Sequence, residues 1–94
     1  MSSTVALVRL PTVLRPQAGG NTTVNAEGNT VGEVLTALVS TYPGLGPTIL
    51  DDEGGVRKFV NLYVNDEDIR FLDQLDTSVT EGDEVAILPA VAGG

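Results

Sequence analysis

Only one stretch of this chain repeats its apolar residues with a helical period, and that stretch decides what the rest must be. Val31, Val34, Leu35, Leu38 and Val39 recur at i, i+3, i+4, i+7 and i+8, one stripe along one helix face. Thr30 precedes the stripe as a candidate N-cap, and Glu33 stands at the spacing from which its side chain reaches back to that cap. Tyr42-Pro43-Gly44 ends the helix, because proline disfavours helical angles at the residue before it. Gly32 weakens the helix by up to about 1 kcal/mol relative to alanine, which marks close packing against a sheet. A lone helix with a one-sided stripe has no second helix to bury it against, so a sheet must receive it.

The segments that supply the sheet are short. Thr4–Leu10 is β-rich, with either Val5 and Leu7 or the alternate set Ala6, Val8 and Leu10 facing the core. Gly19-Gly20-Asn21 is a strong turn signal, and Thr22–Ala26 resumes a strand after it. The two read as an antiparallel hairpin, with Pro16 at an edge or in a bulge. Phe59–Val64 is the clearest strand: Val60, Leu62 and Val64 on one face, Phe59, Asn61 and Tyr63 on the other. Asn65–Asp68 turns the chain, Ile69-Arg70-Phe71 continues it, and Leu72–Val79 is irregular with scattered apolar anchors. Glu81-Gly82-Asp83 feeds a last strand at Glu84–Leu88. Leu45–Leu50 is ambiguous, with room for a single short turn, and Asp51–Gly55 is a polar, flexible loop. The sum is an α+β domain, a mixed sheet of four to five strands with one main helix across a face.

Composition narrows the function classes. A chain of 94 residues forms one domain and buries roughly 60–65% of its unfolded surface. Four aromatics, Tyr42, Phe59, Tyr63 and Phe71, are available to fill the core. Thirteen acidic residues against five basic ones give a formal charge of −8, which argues against nucleic acid, since phosphate binding needs a basic footprint. No stretch approaches the roughly 18–20 apolar residues of a membrane span, and Met1-Ser2-Ser3-Thr4 lacks the marks of a signal peptide. The absence of cysteine is compatible with the cytosol. A cytoplasmic single domain is the expected class.

Catalytic chemistry is scarce. Without histidine the chain lacks the commonest general base and zinc ligand, and no Ser-His-Asp arrangement is open to it. Its glycine pairs do not match a phosphate-binding loop. Asp51-Asp52-Glu53 lacks the alternating spacing of a calcium loop, and Asp66-Glu67-Asp68 lies in a turn beside Arg70, where carboxylates most simply bond the backbone. The chain reads as a non-enzyme, with no metal and no bound cofactor.

One reactive handle is left. The last strand runs into Pro89-Ala90-Val91-Ala92-Gly93-Gly94, a tail with no charge but its terminal carboxylate. Six extended residues reach about 20 Å, and glycine threads channels too narrow for a side chain. The expected division is a domain over residues 1–88 and a flexible tail over 89–94. An adenylating enzyme would turn the carboxylate into a mixed anhydride, and a sulfur donor would then leave a thiocarboxylate.

The residues Phe59–Arg70, Glu81–Val85 and Ile87–Gly94, with Leu10–Pro16 near the start, resemble the ThiS/MoaD family of sulfur carriers. The Pro-Ala-Val-Ala-Gly-Gly ending is similar to the CysO-type carriers of actinobacteria. The resemblance implies a β-grasp, ubiquitin-like fold and a carrier role. In it, a ubiquitin-activating-like enzyme adenylates Gly94 with ATP and exchanges the adenylate for sulfur. Pro89, Ala90, Val91, Ala92 and Gly93 enter the partner's active site. A sulfur-accepting biosynthetic enzyme then takes the sulfur, a pyridoxal-phosphate cysteine synthase in the CysO-type branch, or enzymes of thiamin thiazole, molybdopterin or thiosugar synthesis in others. Partner docking in the family uses the sheet surface beside the tail, where the candidates are Phe59 and Tyr63. The alternative is a ubiquitin-like modifier joined to lysines through the same glycine.

Overall fold

The computed structural model describes residues 4–53, 55–57 and 60–89. It contains β1 (Val5–Arg9), β2 (Thr23–Glu27), α1 (Val31–Thr41), a four-residue α2 (Gly46–Ile49), β3 (Val60–Val64), β4 (Glu67–Asp68) and β5 (Glu84–Pro89). The strands form one sheet in the order β2-β1-β5-β3-β4. β1 and β5 are parallel, and every other neighbouring pair is antiparallel. With α1 across one face, this is the β-grasp arrangement.

The alternate set in β1 faces the helix: Ala6, Val8 and Leu10 are fully buried. They meet Val31, Val34, Leu35 and Leu38 of α1, Leu62 and Val64 of β3, and Val85 and Ile87 of β5 in one apolar core. Val39, at the margin of the stripe, is half-buried. Among the described residues the buried core is aliphatic. Phe71 points into solvent, and of the other described aromatics Tyr42 and Tyr63 are only half-buried, so branched side chains fill the interior that the aromatics were expected to share.

The connection between β1 and β2 departs from the sequence reading. Residues Thr12–Ala18 wind into 3-10 turns with Leu14 and Ala18 buried, and Pro16 lies inside them, not at a strand edge or bulge. A proline needs no ladder partner there, and its fixed φ suits the turn. Gly19 and Gly20 then take positive φ of 66° and 83° and reverse the chain.

The start of α1 is tied down at several points. Thr30 Oγ1 accepts the Glu33 N–H at 3.2 Å, as the spacing requires. The Glu33 carboxylate, however, accepts the N–H of Asn29 at 2.8 Å, one residue beyond the cap. Gly32 does permit a close approach, but the neighbour is the 3-10 turn Gln74–Asp76: a Cβ on Gly32 would sit 3.2 Å from the Leu75 carbonyl oxygen. Gly28, between β2 and α1, is tighter still, since a Cβ there would lie 2.6 Å from the backbone nitrogen of Val34. Gly28→Ala should therefore push the first helical turn off the sheet and cost about 2 kcal/mol, read as a fall in the urea midpoint.

After Pro43 a 3-10 turn and α2 bury Leu45 and Ile49 beneath the helix end. Asp51 then closes its loop by accepting the N–H groups of Glu53 and Gly55, both at 2.9 Å. Asn65 and Asp66, with φ of 51° and 73°, make a two-residue hairpin between β3 and β4, the mirror-image turn whose twist matches the strands. Ile69–Phe71 does not continue as a strand. Asp68 caps it as a 3-10 turn by accepting the Arg70 N–H at 2.8 Å.

Candidate functional site

The tail is rooted in an interior strand of the sheet. β5 pairs with β3 along five positions, from Val64↔Val85 to Val60↔Pro89. On its other side it pairs with β1 at Leu7↔Glu84, Val8↔Val85 and Arg9↔Ala86. β1 stops there, so the end of β5 advances beyond it with only β3 alongside. Pro89 is the last described residue, its backbone in register with Val60. Ala90, Val91, Ala92, Gly93 and Gly94 lie outside the described residues, as does Phe59.

The sheet face turned away from α1 forms the ground around this root. Strand alternation puts Leu7 and Arg9 of β1, Asn61 and Tyr63 of β3, and Ala86 and Leu88 of β5 on it. Tyr63 stands in register with Ala86 and is half-buried, and Asn61 stands opposite Leu88. Leu88 is 46% exposed, a leucine out of step with the buried Val85 and Ile87. That mismatch was visible in the sequence, and period-two reading finds it. Arg9 Nη2 meets Glu84 Oε2 at 2.8 Å and bridges β1 to β5. A pair this exposed contributes little stability, but it fixes a charged rim beside an apolar centre.

Asp83 positions the start of β5. One carboxylate oxygen accepts the Thr80 N–H at 2.8 Å and the Thr80 hydroxyl at 3.0 Å, and the other accepts the Asn65 amide at 3.0 Å. The Asn65 side-chain oxygen in turn accepts the Glu84 N–H at 3.1 Å. The network joins the β3–β4 hairpin to the turn that launches β5. The Thr80 N–H bond, followed by the Asn65 amide, holds the Asp83 carboxyl below its ordinary pKa. A carboxyl with a depressed folded pKa adds stability above its unfolded pKa and loses it as pH falls through the folded value. Asp83→Asn should thus melt lower than the parent at neutral pH, and the gap should close as pH drops below about 4, as followed by circular dichroism.

Asp68 and Arg70 behave alike. The guanidinium holds both carboxylate oxygens, with Nη2 to Oδ2 at 2.8 Å. That side-chain bond lowers the Asp68 pKa and raises that of Arg70. A carboxylate so occupied is unsuited to acid–base work. No group of three or more metal-ligating side chains gathers among the described residues, and no described helix is long and apolar enough to cross a membrane.

Comparison with known proteins agrees with this geometry. The model of the ThiS family matches residues 8–94. The sulfur carrier protein CysO of Mycobacterium tuberculosis is 48% identical over 89 residues, which cover 93% of this chain and 96% of that protein. Among solved structures, the Amycolatopsis orientalis BexX/CysO complex contains a chain with a TM-score of 0.87 and 43% identity, covering 95% of this chain and 99% of that one. The small archaeal modifier protein 1 of Methanosarcina acetivorans aligns over the whole of both chains with a TM-score of 0.87 and 32% identity.

Proposed function

The chain belongs to the ThiS family, a sulfur carrier and not itself an enzyme, and from that premise we propose that its sulfur rides on the carboxyl group of Gly94. The observation that carries this reading is the root of the tail. β5 starts between β1 and β3 and is still in register with β3 at Pro89, five residues before the chain end, and the family match runs on through Gly94. From Val85 to Gly94 there is no charged side chain, so a narrow channel meets only small apolar groups and one carboxylate.

The chemistry is supplied elsewhere. The Gly94 carboxylate attacks the α-phosphate of ATP in a ubiquitin-activating-like partner and displaces pyrophosphate. A sulfur donor then displaces AMP from the acyl-adenylate and leaves the thiocarboxylate. This chain binds no cofactor of its own. Its part is to present the carboxyl group and to offer no competing thiol, since it has no cysteine. Pro89, Ala90, Val91, Ala92 and Gly93 form the stalk inside the partner, while Tyr63 and Leu88 on the sheet face rest against its surface. The acceptor is a biosynthetic enzyme, with a pyridoxal-phosphate cysteine synthase favoured by the likeness to CysO. The thiosugar, thiazole and molybdopterin branches are the other candidates. A supply of ATP fits the cytoplasm as the setting of this cycle.

Incubation with the adenylating enzyme, ATP and a sulfur source, followed by intact-protein mass spectrometry, should show one oxygen exchanged for sulfur. An unchanged mass alongside a control carrier that is converted would refute the proposal. The likeness to a small archaeal modifier protein favours a second reading, conjugation of Gly94 to lysines. Blots of cell extract separate the two, because only conjugation gives a ladder of larger bands that survives reductant.

A further inference from the structure

Phe71 is the most exposed large apolar side chain described, at 84% of its surface. Its backbone gives it no way inward. Ile69, two residues before it, is buried, and Leu72, just after it, packs against the core. The Leu72 N–H bonds the Ile69 carbonyl at 3.0 Å, and the Asp73 N–H bonds the hydroxyl of buried Thr77 at 3.0 Å. Asp68 caps the turn from the other side. A rigid aromatic ring held out on a pinned turn loses little freedom when it is covered, which is the property of a binding anchor.

The surroundings say what covers it. Residues 66–76 carry five carboxylates and one cation, Arg70, and that cation is already paired with Asp68. Asp66, Glu67, Asp73 and Asp76 are all exposed in the same stretch as Phe71. An apolar ring on an anionic stretch of chain fits an apolar pocket bordered by cations. We infer that Phe71 is a docking anchor, separate from the tail, that seats in an apolar pocket ringed by lysine or arginine on the enzyme that adenylates Gly94. The inference rests on the carrier reading above. The tail is small and featureless, so an activating enzyme has to read its carrier from the folded body, and the body's exposed aromatic is the group with the most surface to give.

The test is steady-state pyrophosphate release by the adenylating enzyme of the same genome, with wild type, Phe71→Ala, Phe71→Tyr and the double variant Glu67→Lys/Asp73→Lys. Phe71→Ala should raise KM roughly ten- to thirtyfold while kcat stays within about twofold and the melting temperature does not fall. Phe71→Tyr keeps the ring and should restore KM, and the double charge reversal should raise it. A Phe71→Ala variant with the wild-type KM overturns the anchor and leaves the carrier reading standing. So does sedimentation showing that Phe71 instead joins two copies of this chain. No turnover of the wild type by an enzyme that adenylates a control carrier takes both readings down.

Discussion

A chain carrying one extra alanine after Gly94 will fold and melt like the parent but accept no sulfur. On the proposed chemistry the Gly94 carboxyl has to lie in line with the α-phosphate of ATP, and an added residue moves the reacting carbon by about 3.5 Å. Misplacement by even about 1 Å can cost on the order of a hundredfold in rate, so a larger shift removes turnover from the measurable range. The sheet is untouched, because the addition follows Gly94 and lies outside β5 (Glu84–Pro89). Mass spectrometry after activation reads the loss, and thermal melting shows that folding is not its cause. Full conversion of the extended chain would mean that the terminal glycine is not the reacting residue.

Leu35→Ala should be the most destabilising of the single changes considered. Leu35 sits mid-way along the α1 stripe at 1% exposure, within the core formed by helix and sheet. Truncating a leucine in such a site costs about 3 kcal/mol through lost burial and the cavity left behind. A domain of this size holds only about 5–10 kcal/mol in total, so much of its margin goes. Val39→Ala, at the half-buried end of the same stripe, should cost about 1 kcal/mol. Urea midpoints at constant slope measure both. Equal losses at the two positions would contradict the register assigned to α1.

What the sequence disclosed was local, and what it withheld was mostly distant. The α1 stripe and its Thr30 cap were legible because residues a few positions apart determine them. So was the alternation in β3, where Leu62 and Val64 are buried and Tyr63 is not. The parallel pairing of β1 with β5 joins residues more than seventy positions apart, and no periodicity within either strand records it. Gly32 announced a close contact without naming Leu75 as the partner. Pro16 looked like a strand irregularity because the 3-10 winding of Thr12–Ala18 follows from burying Leu14 and Ala18, a tertiary cause. Phe71 was misread for a plain reason: hydrophobicity alone sends an aromatic inward, whereas in the 3-10 turn Ile69–Phe71 it is Ile69 that is buried and Phe71 that is exposed. The tail was the reverse case: its reading came from residue type and position alone, and Ala90–Gly94 lie outside the described residues.

The two-sided pairing of β5 also has a mechanical side. On the proposed carrier cycle, a partner that takes hold of the tail and releases it would load β5 through Pro89. Hydrogen bonds to β3 on one side and β1 on the other lie across that pull, so they share the load in shear and do not unzip one by one. Under such a load the body would stay folded through repeated rounds of the proposed cycle.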